Sequence, residues 1–185
     1  LRKYDDALTL LNKATAKPGA SGELYARIGV VYALLEKPTQ AVMACRQAIE
    51  KSPCEIIGYQ VLAQIYFKKN QTTEGFAVLD EAGRQKKVEA GFLIELAQMY
   101  IVFGRATTNQ TYKATALATL ERAAELNPTE PLLVQKLGQG FDVLGQPEKA
   151  ALFYVKLLER YPNLPDLRER LVRIYLGKND HAKAT

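Results

Sequence analysis

Apolar and small residues recur along the chain at helical spacing. Tyr25, Ile28, Gly29 and Tyr32 fall at i, i+3, i+4 and i+7, which places them on one face of a predicted helix. Ala41, Cys45 and Ala48 repeat that logic on the next predicted helix. Between them Glu36-Lys37-Pro38 reads as a short turn, with the proline in the first turn of the new helix, where its missing N–H costs nothing. Asn70, Gly104 and Gly145 mark comparable helix ends, since the cap needs a left-handed backbone that Gly and Asn adopt readily. No stretch sustains an alternation of period two, so no strand is expected.

The pattern repeats at long range. An aromatic recurs at Tyr32, Tyr66, Tyr100, Phe141 and Tyr175, at spacings of 34, 34, 41 and 34. Three positions earlier stand Gly29, Ala63, Ala97 and Gly138, with Val172 as the least faithful copy. Ala7, Ala41, Gly75, Ala116, Ala150 and Ala184 form a second small series. A third runs through Ala14, Ala48, Ala82 and Ala123 and gives way to Leu157. Pro53, Pro128 and Pro162 close three units, and Lys87 stands where a fourth proline would be. All the series share one register and one seven-residue interruption, the mark of a repeat array.

Small residues at 29, 63, 97 and 138 predict helix crossings where a bulky side chain would hold two backbones apart. Complete units are expected at 22–55, 56–89, 90–130 and 131–164. Residues 1–21 read as the second helix of an earlier unit, and 165–185 as the first helix of a later one or a capping helix. Beginning and stopping in mid-unit suggests a piece of a longer array, because natural solenoid ends carry polar caps. The third unit is lengthened at Gly104 to Thr111, either as a tolerated surface insertion or as a contact loop or extra helical turn.

Tyr25…Ile28-Gly29…Tyr32…Ala41…Ala48…Pro53 resembles the tetratricopeptide repeat, as does Val134…Leu137-Gly138…Phe141…Ala150…Pro162. Departures are Gly75 for an alanine, Cys45 for an aromatic and Lys87 for a proline. The resemblance covers nearly the whole chain and implies an all-α, right-handed superhelical solenoid of antiparallel helix pairs. It also implies that each unit's first helix lines a concave face that binds another protein. One residue on from the core stripe, the inner row reads Ala26, Val30 and Ala33, then Gln60, Gln64 and Phe67, then Ile94, Gln98 and Ile101. It continues through Gln135, Gln139 and Asp142 to Glu169, Arg173 and Leu176. Amides both donate and accept, so the five glutamines suit the backbone of an extended or short helical peptide. They equally suit a plain soluble helix surface. Val30, Phe67, Ile94 and Ile101 are the expected apolar anchors. The family's Lys/Asn clamp for a C-terminal carboxylate is missing, because Ala26 with Val30 and Gln60 with Gln64 stand at its positions.

Composition narrows the partners. In 185 residues, 48% are hydrophobic and 24% charged, as in an ordinary folded protein. No apolar run reaches the roughly 18 residues of a membrane span. The net charge is +5, but its Lys and Arg are scattered; the densest cluster, Arg84, Lys86 and Lys87, closes a predicted helix, which argues against a nucleic-acid partner. Two cysteines make no disulfide framework, and cytoplasm or periplasm is compatible. His181 is the only histidine, no Cys/His cluster has zinc spacing, and Gly138-Gln139-Gly140 lies inside a predicted helix. Asn70-Gln71-Thr72 and Asn109-Gln110-Thr111 match glycosylation acceptors but read as turn residues. No catalytic residue, metal site or cofactor is therefore expected. The reading is a protein-interaction scaffold, with two alternatives: a regulatory or targeting segment of a larger enzyme or assembly protein, and a module that self-associates through its terminal helices.

Overall fold

The computed structural model describes residues 2–107, 109 and 111–177. Ala184 and His181 lie outside them. The order of elements is α1 Arg2–Thr15, α2 Gly22–Leu34, α3 Pro38–Lys51, α4 Ile56–Lys68, α5 Thr72–Gly83, α6 Ala90–Ala106, α7 Tyr112–Glu125, α8 Pro131–Val143, α9 Pro147–Arg160 and α10 Pro165–Gly177. There is no strand among the described residues.

Local chemistry sets the hairpins. Pro38 and Pro147 open the second helices α3 and α9, and Pro131 opens α8. The first helices end in one recurring motif: Lys37, Gln71 and Gln146 donate their N–H to the carbonyls of Tyr32, Tyr66 and Phe141, each at 2.9 Å. Glu36, Asn70 and Gly145 occupy the left-handed position just before the donor, with φ of 55°, 57° and 74°. The aromatic series therefore marks both the core and the acceptor of the closing bond. Glu36 holds this position without the usual Gly or Asn.

Each of α2, α4 and α6 packs on the second helix of its unit, on the first helix of the next unit, and on the preceding second helix, while α8 packs on α6, α7 and α9. This gives two layers, α2, α4, α6 and α8 in one and α3, α5, α7 and α9 in the other. One hydrophobic core runs from Ala41 to Ile174. A smaller cluster around Leu8, Ile28 and Ala44 holds α1 against α2. Such stacking makes stability a sum of neighbour interfaces rather than one central core.

Side chains staple neighbouring units. Arg46 on α3 pairs with Glu81 on α5 at 2.7 Å, and Lys149 on α9 pairs with Glu121 on α7. Arg122 on α7 donates to the carbonyls of Gly83 (2.8 Å) and Gln85 (3.0 Å), satisfying the free end of α5. Cys45 is fully buried, and burial pushes its thiol up to about 12, partly opposed by Arg46, so it packs as a small hydrophobe.

The small series behave as crossing points. A Cβ at Gly138 would lie 2.7 Å from Cδ1 of Tyr154, and one at Gly29 would lie 2.5 Å from Sγ of Cys45. Val172, the unfaithful copy, is exposed. Gly75 has its own explanation. A Cβ there would lie 2.7–2.9 Å from three ring atoms of Phe67, so the large side chain on α4 requires the small residue on α5. Restoring the repeat's usual alanine with Gly75→Ala should therefore destabilise. Overpacking of about 1–3 kcal/mol exceeds the helix-propensity gain of up to about 1 kcal/mol. The expected net loss in a urea melt is on the order of 1 kcal/mol, and a gain would mean the ring moves freely.

The insertion corrects one expectation. Gly104 does not end its helix; α6 continues to Ala106. The closing bond runs from Asn109 N–H to the Gly104 carbonyl at 3.1 Å, four residues later than in the sister units. Four of the extra residues thus add a helical turn. Gly104 is buried because Tyr112 of α7 packs on it, with Cδ1 2.6 Å from where a Cβ would stand. The added turn also carries Arg105 to the end of α8, where it donates to the Val143 carbonyl at 3.2 Å.

Candidate protein-binding face

The glutamines expected on an open face of the first-helix layer are accessible to different degrees. Gln64 is exposed, and Gln60, Gln98, Gln135 and Gln139 are half-buried. None of the five makes a side-chain hydrogen bond to another described residue. Gln64, Gln98 and Gln139 occupy the same register position on three helices packed side by side, so their amides form a row across the units.

The charged members of the row are already engaged. Asp142 pairs with Arg170 of α10 at 3.5 Å, and Arg173 pairs with Glu169 one turn away at 2.8 Å. Beside them Lys136 of α8 pairs with Glu95 of α6. Two of these pairs bridge adjacent first helices, which makes Asp142 a tie between units before it is a contact for anything else. Partly exposed pairs of this kind contribute about 0–1 kcal/mol each.

The apolar anchors need correction. Ile94 is fully buried and Ile101 is 7% exposed, so neither lines the open face. Both belong to the core between α6 and its neighbours. Phe67 is half-buried and engaged in packing, stacked on Phe103 at 4.0 Å and edge-on to Phe76 at 5.1 Å. Ala26 is also buried. Val30 does reach an apolar hollow of about 510 Å³, shared with Leu10 and Leu11 of α1 and Ile57 of α4. The physical reason is crowding. A step of one residue turns a side chain by only about 100°, and where neighbouring helices approach on both sides that turn still ends in the core.

One residue further on, the structure exposes apolar groups outside the expected inner row. Leu34, Val102 and Val143 are 56%, 60% and 44% exposed. They share one register position, interrupted by Lys68 in the second unit. The repeat spacing alone could have shown this row, but nothing in it says which of two adjacent rows is covered.

Among the described residues no group of His, Cys, Asp and Glu could hold a metal ion, and no helix is long and apolar enough to cross a membrane.

Comparison with known proteins agrees with this architecture. The family model described as "Tetratricopeptide repeat" matches residues 22–53. YrrB, solved as a tetratricopeptide protein with an unusual peptide-binding site, superposes with a TM-score of 0.60 at 18% identity, covering 94% of this chain and 86% of that one. TTC0263 of Thermus thermophilus, also a tetratricopeptide protein, gives 0.55 at 23% identity, covering 94% and 91%. The class of fold follows: residues 22–53 match a tetratricopeptide repeat, and the chain as a whole has the fold of tetratricopeptide-repeat solenoids. Among curated proteins it is similar to the human protein O-mannosyl-transferase TMTC1, 21% identical over 172 residues. That match spans 93% of this chain but 19% of the length of the transferase.

Proposed function

We infer that the first-helix face captures an extended or short helical segment of a partner protein. The observation that carries this reading is the set of five glutamine amides, on adjacent helices and without side-chain hydrogen-bond partners among the described residues. A peptide backbone offers donors and acceptors at every residue, and primary amides match either polarity. Leu34, Val102 and Val143 supply apolar contact beside the amides, in place of Ile94, Ile101 and Phe67. YrrB, with the same fold, is a peptide binder by its description, which supports the reading by analogy.

Peptides selected on the wild-type chain from a displayed random library provide the test. Gln64→Ala with Gln98→Ala removes two amides from the row while leaving the core untouched. Each hydrogen bond is worth about 1 kcal/mol net, so affinity should fall on the order of thirtyfold. Thermal unfolding should not change. An unaltered affinity would remove the glutamines from the site.

The similarity to TMTC1 supports a second reading, in which the array is the repeat segment of a larger transferase and binds or positions a protein for it. A parent sequence without a catalytic fold would end that reading and leave the first intact.

A further inference from the structure

The first-helix face is not uniform along its length, and at the end of α4 a basic station, Lys68 with Lys69, sits over a cavity. Between the Glu36–Pro38 turn and the C-terminal half of α4 opens a pocket of about 250 Å³. Ala33, Pro38, Val61 and Ile65 form its apolar lining, and Gln64, Lys68 and Lys69 stand around it. Lys68 and Lys69 are exposed, and neither makes an ion pair among the described residues.

Lysines at the end of α4 answer the helix dipole, but that explanation leaves charge over. The dipole amounts to about half a negative charge at the C-terminus, whereas the two side chains carry two positive ones. Glu36 at the pocket edge is offset by the adjacent Lys37, which is also exposed. Among the four complete units, 34, 68, 102 and 143 read Leu, Lys, Val, Val, so a cation replaces the apolar residue only where the pocket lies.

We propose that this station selects the partner. A peptide places one aliphatic or aromatic side chain in the Ala33–Ile65 pocket, and a carboxylate close to that side chain in sequence meets Lys68 and Lys69. Gln64 holds the backbone between them. The pocket has room for a single large side chain, and flanking Leu34 and Val102 prefer apolar neighbours in the ligand. The partner segment is thus apolar and acidic rather than basic. This rests on the reading that the first-helix face receives a peptide, and deepens it by naming the chemistry selected.

Panning a random-peptide phage library on the immobilised chain, in parallel with the Lys68→Glu/Lys69→Glu double variant, tests the idea. Both side chains are exposed, so the variant should keep the wild-type circular dichroism and lose only a little melting temperature from the reversed charges at the end of α4. Wild type should enrich peptides with Asp or Glu near an aliphatic or aromatic residue. The variant should lose that acidic preference or turn it basic, and should bind the wild-type peptides about tenfold or more weakly. Selected peptides with no acidic preference, whose binding nevertheless falls with Gln64→Ala/Gln98→Ala, would overturn the charge selection and leave peptide capture standing. Peptides insensitive to both pairs of substitutions, or a library that yields none, would overturn both.

Discussion

Phe67→Ala is expected to lower the unfolding free energy by about 3 kcal/mol while leaving peptide affinity, measured per folded molecule, nearly unchanged. Phenylalanine truncation in a core costs about 3–5 kcal/mol, and the lower figure applies because Phe67 is half-buried. The ring stacks on Phe103 of α6, meets Phe76 of α5 edge-on and covers Gly75. Its loss would loosen three helices and two units at once. For a chain of this length such a loss corresponds to a drop in melting temperature of roughly 6–12 °C. Calorimetry with a binding isotherm on the same sample separates the two roles. A groove anchor would weaken binding and leave the melt in place, the reverse of what the packing requires.

A double-mutant cycle sharpens this. Gly75→Ala is unfavourable beside the Phe67 ring, but in the Phe67→Ala background the new methyl group enters vacated space. There it should stabilise the chain by up to about 1 kcal/mol through helix propensity. A change of sign between backgrounds is direct evidence of contact. Additive effects would show that the two residues do not share the crossing.

Gly138→Leu should cost about 3 kcal/mol, at the upper end of the range for overpacking. The obstacle is Tyr154, fully buried on α9, whose ring Cε1 stands nearest the position of a Cβ and whose Cδ1 lies 2.7 Å from it. A ring held on all sides cannot yield as the far end of a lysine would. The α8–α9 hairpin must open instead, and α10 rests on α9. Because the array is held together by neighbour interfaces, damage should concentrate at this end. Hydrogen exchange should therefore speed up in α8 to α10 and change little in α2 to α4. An unaltered melt would refute the close crossing.

Much of this was legible before any coordinates. Series of small residues and aromatics in one register gave the helix pairs, because close crossings tolerate little else and the period of the array repeats the constraint. The turn at Glu36–Pro38 was readable from its proline. Gly104 was misread because one glycine serves two purposes: it can end a helix or let another side chain pack against it. Only the position of Tyr112 distinguishes them. Gly75 looked like drift from the repeat until Phe67 was seen above it.

The candidate face divides in the same way. Where the glutamines fall along the chain, and that they share a register, follows from sequence, since periodicity fixes which residues stand in line. Which of the neighbouring rows meets solvent does not follow, because a side chain at the edge of a helix–helix contact is covered or open according to how closely the next helix approaches. That distance depends on side chains from units 34 or 41 residues away. Packing thus assigned Ile94 and Ile101 to the core, left Leu34, Val102 and Val143 open, and set Lys68 and Lys69 beside a pocket that no single helix contains.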